Sequence, residues 1–306
     1  MTLLRKMPVL FALTIAFICA LLLSACGSTV NTGSVAGNSS ATISVVAAEN
    51  FYGDVAKQIG GSYVTVTSIL ADPNVDPHVY ESKYNDSKAI RNARLVIANG
   101  GGYDDWMDKL LSSTTDSSRV VLKGFAIAPT KLQDNVHVWY SVDNMQAIAR
   151  SITASLKKLD AAHATTFDKN FATFTGALDG IRQKITEIKA RYNGTPVGLT
   201  ETIFLYQAGP LGLKVQTPFE FQKAMAEGND PPANTVIEAE NQLKGHKVKV
   251  LLYNQQTASP VTDKLQADAR AAGIPIVALR ETMPAAKNYQ RWMLDQLNAL
   301  EQGLRK

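Results

Sequence analysis

The alternation of apolar and polar positions along this chain changes character four times. Arg5 and Lys6 precede an apolar run from Val9 to Leu23 that only Thr14 interrupts, the layout of an export signal over residues 1–25. Residues 27–42 are all Gly, Ser, Thr, Asn, Ala or Val, with no charge and no helical period, and read with Cys26 as a flexible tether. From Ile43 the pattern predicts strand and helix in turn: strand Ile43 to Ala47, helix Asn50 to Ile59, strand Tyr63 to Leu70, helix Asp86 to Ala93, strand Leu95 to Ala98, and a weaker strand Val120 to Leu122. Such alternation implies a parallel sheet covered by helices, here an amino-terminal lobe over residues 43–142.

The middle, residues 143–193, predicts two helices. The first is Asp143 to Leu159, and Asp160 is placed to cap a second that runs to Tyr192. In that second helix Phe167, Phe171, Phe174, Leu178, Ile181, Ile185, Ile188 and Tyr192 recur at spacings of four and three, a single apolar stripe. At 1.5 Å per residue it reaches on the order of 45 Å, enough to join two lobes; a coiled-coil dimer seam is the alternative, disfavoured by the several Phe. After Gly194 the alternation resumes over residues 194–306 with strands Pro196 to Thr200, Lys214 to Gln216, Val248 to Tyr253 and Ile274 to Arg280. Asn229-Asp230-Pro231-Pro232 marks a surface loop there. Two similar α/β halves therefore flank one long helix.

Composition changes this picture little. With 306 residues, 45% hydrophobic and 19% charged, the chain can fill two cores. The apolar leader is short for a ~20-residue membrane span and ends in Leu23-Ser24-Ala25-Cys26, which resembles a bacterial lipobox. Cleavage before Cys26 removes Cys19 and commits the Cys26 thiol to lipid, so neither of the two cysteines is left as a metal ligand or nucleophile. Loss of Arg5 and Lys6 lowers the formal charge below its starting +4, and nothing points to nucleic acid.

Four histidines are available. His163, in the polar start of the long helix, and His246, in Lys244-Gly245-His246-Lys247, read as solvated. His78 lies in Asp76-Pro77-His78-Val79-Tyr80-Glu81, beyond a strand, and His137 in Asn135-Val136-His137-Val138-Trp139-Tyr140, just before the first middle helix. In open parallel sheets ligands bind beyond the carboxyl ends of the strands, where the second half places Glu201 and Glu281. Two neutral imidazoles and two carboxylates around a divalent cation give zero net charge. Four protein ligands also leave no open position for a catalytic water, which favours carriage over catalysis. Gly100-Gly101-Gly102 matches neither phosphate-loop pattern, and no G-x-S-x-G supports Ser-based hydrolysis.

At these residues the chain resembles the bacterial metal-receptor lipoproteins of the ZnuA, PsaA and TroA type, from Ile43 to Lys306. The resemblance rests on Asn50-Phe51-Tyr52-Gly53, Asp76-Pro77-His78-Val79-Tyr80-Glu81, Asn99-Gly100 leading to Tyr103-Asp104-Asp105-Trp106-Met107, and His137-Val138-Trp139. It implies two Rossmann-like lobes with parallel sheets, joined by a single long backbone helix, with one Zn2+ or Mn2+ between them as cargo. It implies as metal ligands His78, His137, Glu201 in Glu201-Thr202-Ile203-Phe204-Leu205-Tyr206, and Glu281 in Glu281-Thr282-Met283-Pro284, where the family usually has aspartate. It further implies a monomer that is not an enzyme, anchored to the outer face of the cell membrane by lipid on Cys26, and an ABC importer permease as partner. Two departures stand out: Trp139-Tyr140-Ser141-Val142 replaces the usual W-L-D-P, and Leu110 to Asp134 lacks the His-rich loop of many zinc receptors. A chelate carrier for haem or a siderophore, a metallohydrolase and a surface adhesin are the other classes to weigh.

Overall fold

The computed structural model describes residues 42–306 except 74, 76, 78 and 79. The leader, Cys26, most of the tether and His78 therefore lie outside the described residues. Strand β1 (Ile43–Glu49) is buried at nearly every position, so both of its faces need cover. Its alternate residues feed two cores. Val45 and Ala47 join Leu95 and Ile97 in one, while Val46 and Ala48 join Val96, Ile90, Trp106 and Met107 in the other. With β2 (Val64–Leu70), β3 (Leu95–Ala98) and β4 (Val120–Lys123) it forms a parallel sheet in the order β2-β1-β3-β4. Helices α1 (Asn50–Gly60), α2 (Tyr84–Asn92) and α3 (Asp105–Ser113) accompany it.

The second sheet repeats the plan with β5 (Pro196–Leu199), β6 (Lys214–Val215), β7 (Leu251–Asn254) and β8 (Ile276–Leu279), all parallel, in the order β6-β5-β7-β8. Between the sheets in sequence run α4 (Val142–Leu159) and the 29-residue α5 (Ala164–Tyr192). Besides two single-turn helices, Gly124–Ile127 and Leu205–Ala208, the later helices are α6 (Phe219–Ala226), α7 (Ala233–Lys244), α8 (Pro260–Ala271) and α9 (Tyr289–Arg305); α8 opens with Pro260 behind a Ser259 cap. The exposed loop 229–232 separates α6 from α7.

The apolar stripe of α5 faces its own chain, packing against α1, α4 and α9. Phe167, Phe174, Leu178, Ile181 and Ile188 are fully buried, which leaves no seam for a coiled-coil partner. Two local expectations are corrected. Asp160 does not cap the long helix: a 3-10 turn over Ala161–His163 intervenes and α5 starts at Ala164, because the Asp160 carboxylate is taken by the His163 ring, Oδ2 to Nδ1 2.6 Å. His163 is accordingly half-buried rather than solvated, stacked on Tyr63 at 3.8 Å between centroids. His246 is exposed, in a left-handed turn after α7.

Polar bonds tie α1 to the carboxy-terminal half. Asn50 and the Met283 backbone exchange two hydrogen bonds, at 2.7 and 3.0 Å. The Tyr289 amide donates to Asp54 at 2.8 Å, and the Gln58 and Gln290 amides pair at 3.0 Å in both directions.

Candidate metal centre

The second sheet delivers carboxylates to one point by topology. β7 lies between β5 and β8, and the ladders set Leu199 beside Leu252 and Leu279 beside Asn254. Residues that leave β5 and β8 by two steps, Glu201 and Glu281, therefore emerge on either side of the end of β7. Both are buried, at 2% and 0% exposure. Glu281 is braced: its Oε1 accepts from the Asn254 amide, its Oε2 accepts from Tyr103 Oη at 3.0 Å, and its own N–H donates to Gln256 Oε1 at 2.7 Å. Glu201 is not, since neither of its carboxylate oxygens has a hydrogen bond among the described residues.

The imidazole arrives from the first half. His137 ends a loop and enters the 3-10 turn Val138–Tyr140 that leads to α4. Asn135 Oδ1 accepts from both the His137 backbone N–H and its Nδ1, each at 3.0 Å. The Asn135 amide group is fixed in that sense because its Nδ2 donates to Thr202 O at 2.7 Å. The proton thus sits on Nδ1, and Nε2 carries the lone pair. Nε2 is 4.0 Å from an oxygen of Glu201 and 4.0 Å from Oε2 of Glu281. One ligand atom from each of the three residues lies within 4.8 Å of the others, the spread of donors that can share one ion.

Burial, then the neighbouring Glu281, pushes the Glu201 carboxyl well above the ordinary range. The amides of Thr202 and Ile203 and the Asn254 side chain oppose this only as nearby dipoles. Two carboxylates without a compensating cation are costly to bury together. A divalent ion at the centre removes that cost, so the donor set fits a metal. Of the four residues expected from the sequence, His137, Glu201 and Glu281 are brought together, and His78 lies outside the described residues.

Asn135, Tyr103 and Asn254 form the surrounding shell, and the sequence reading gave them no role. Asn254 was within reach, because it follows the strand Val248 to Tyr253 as Glu281 follows Ile274 to Arg280. The Gly100-Gly101-Gly102 turn has left-handed φ at all three positions. The amides of Asn99 and Gly100 donate to the Asp104 carboxylate at 2.7 and 2.6 Å. A phosphate would have to displace Asp104, so the turn is structural.

Comparison with known proteins agrees with this architecture. Residues 45–303 match the model of the zinc-uptake complex component A (ZnuA) family. The chain belongs to that family. A manganese ABC transporter substrate-binding lipoprotein, PsaA of Streptococcus anginosus, is 25% identical over 98% of this chain and 100% of its own length. An iron-binding protein, YfeA of Yersinia pestis, is 30% identical over 53% of this chain and 54% of its own. Among solved structures, the periplasmic zinc-binding protein TroA of Treponema pallidum superposes with a TM-score of 0.72 at 19% identity, covering 86% of this chain and 99% of TroA. FpvC of Pseudomonas aeruginosa, in complex with Mn2+, gives 0.72 at 21% identity, covering 87% and 98%. These structural likenesses extend the family's two-sheet fold over nearly the whole described chain.

Proposed function

We propose that this protein captures one divalent transition metal ion, Zn2+ or Mn2+, between its two sheets and delivers it to the permease of an ABC importer. The observation that carries this reading is the meeting of the His137 Nε2 lone pair with two buried carboxylates, one of them without a hydrogen bond among the described residues. His78, His137, Glu201 and Glu281 are the ligands in this reading, with His78 supplying the second imidazole. The named functions of the manganese, iron and zinc relatives support it. The export leader and the lipobox ending at Cys26 support secretion and a lipid anchor on that cysteine, in line with the relatives named lipoproteins.

The protein is a carrier and not an enzyme. Donor atoms this close and this buried suit a bare ion; haem or a siderophore would need a cleft hundreds of Å3 in volume. The hydrogen bonds from α1 to residues 283–290 imply that loading draws the ligands together through small shifts rather than a wide closure. Elemental analysis of protein purified without added metal should find one equivalent of zinc or manganese. His78→Ala and His137→Ala should each remove most of the affinity, and His163→Ala should leave it unchanged. Equal affinities for all three variants in calorimetric titration would overturn the site.

A further inference from the structure

We propose that Asn254 is a positioning residue that restricts Glu281 to a single ligating oxygen and so sets the coordination number, and with it the preference among metals. This rests on the carrier reading above. Asn254 is the last residue of β7, the strand between those that deliver Glu201 and Glu281. Its backbone N–H donates to Thr200 Oγ1 at 3.2 Å. Its side-chain oxygen accepts from the Gln256 backbone N–H at 3.0 Å. An amide has one acceptor end and one donor end, so with the oxygen fixed on Gln256 the NH2 group must face the other way. There it donates to Glu281 Oε1.

The two carboxylates consequently differ. Glu281 has Oε1 turned to Asn254 and offers Oε2, the oxygen that faces His137 Nε2 and also accepts from Tyr103. Glu201 lies near the Asn254 side chain as well, but neither of its oxygens has a hydrogen bond among the described residues, so both can turn to an ion. The described residues then offer four donor atoms, His137 Nε2, two oxygens of Glu201 and one of Glu281, and His78, the second imidazole of the carrier reading, makes five. That lies between the four of tetrahedral zinc and the six that oxygen-rich manganese sites favour. Removing the Asn254 amide frees Oε1 and raises the count to six.

Two measurements test this. In a crystal structure of the wild-type protein soaked with MnCl2, Glu201 should chelate through both oxygens, while Glu281 Oε1 stays on Asn254 and away from the ion. In calorimetric titrations with MnCl2 and ZnCl2, Asn254→Ala should weaken zinc more than manganese, moving the affinity ratio toward manganese by roughly tenfold, within the 10–100-fold range of outer-shell changes. A shift of the ratio is not expected from general loosening, which weakens both metals alike. Asn254→Ser, whose hydroxyl is too short to reach Oε1 as the amide does, should give the same direction if Asn254→Ala fails to fold. Glu281 chelating through both oxygens in the wild-type complex, or an unchanged ratio in a folded variant, would overturn the inference while leaving the carrier reading intact. Failure of the wild-type protein to bind either metal would overturn both.

Discussion

Two pairs of buried carboxylates sit at the carboxyl ends of the two sheets, and their surroundings differ in a way that separates structure from chemistry. In the first sheet Glu49 ends β1 and Asp104 follows the glycine turn, and both are buried, at 0% and 2% exposure. Asp104 is stabilised by two backbone amides. Burial, reinforced by the Asp104 charge, pushes Glu49 well above the usual carboxyl range, and neither of its carboxylate oxygens has a hydrogen bond among the described residues. Burial raises Asp104 too, against those amides, and no third donor joins this pair among the described residues. In the second sheet Glu281 is held by Asn254 and Tyr103, Glu201 like Glu49 has no hydrogen bond among the described residues, and, unlike in the first sheet, an imidazole with its lone pair outward faces both carboxylates. Buried acids alone are therefore no sign of a ligand site. An open carboxylate beside an oriented nitrogen is.

The comparison can be broken most sharply at Glu201. Glu201→Ala should lower metal affinity on the order of 100-fold or more, since it removes a full share of the binding free energy of a protein metal site. It should leave the metal-free protein as stable as before or more so, because one of two buried acids is gone. Comparable losses from Glu49→Gln would erase the distinction drawn above. Asn135→Ala should cost roughly 10–100-fold by freeing the His137 ring to adopt the wrong tautomer, and calorimetry against the wild type reads it directly.

Loaded protein should also melt later than metal-free protein. Free metal at about 1,000 times Kd adds about 4 kcal/mol, and a roughly 100-fold loss of affinity in Glu201→Ala should cut this at the same metal concentration to about 1.4 kcal/mol or less in a thermal scan.

A smaller effect is expected at Glu301, which joins α9 to the long helix through Lys184 and Arg191 and also pairs with Arg305 of its own helix. The bonds from Lys184 and Arg305 lower its pKa to about 2 from an ordinary 4.5. Because the folded value is depressed, its contribution is present above pH 4.5 and is lost as pH falls through about 2. Glu301→Gln should lower the melting temperature at pH 7 by several degrees and flatten the acid limb of the stability profile. The smallest effect belongs to Glu49→Gln, a near-isosteric change outside the cluster of donors; affinity and melting temperature should stay within error of the wild type.

Much of the fold was legible because its signals are local. Strand Leu95 to Ala98 and the stripe from Phe167 to Tyr192 are written in apolar periodicity alone, and they correspond to β3 and α5. Helix α9, which packs along α5, was not anticipated, and α3 and α6 to α8 were expected only as part of the strand-helix alternation, without bounds. The start of α5 was misplaced because Asp160 had two possible partners, a helix amide or the His163 ring, and only the packing of His163 on Tyr63 decides between them. At the candidate site, Glu201 and Glu281 follow from the rule that strands point their ligands beyond their carboxyl ends. Asn135 and Tyr103 act through hydrogen bonds across the two halves, spanning 67 and 178 residues of sequence, and no local pattern encodes such a pairing.

The central claim is most directly tested by anomalous diffraction from crystals grown with MnCl2 or ZnCl2. One strong peak should lie at bonding distance from His137 Nε2 and from oxygens of Glu201 and Glu281. A fully loaded crystal whose only anomalous peaks lie elsewhere, with those three side chains still facing an ion-free centre, would contradict it.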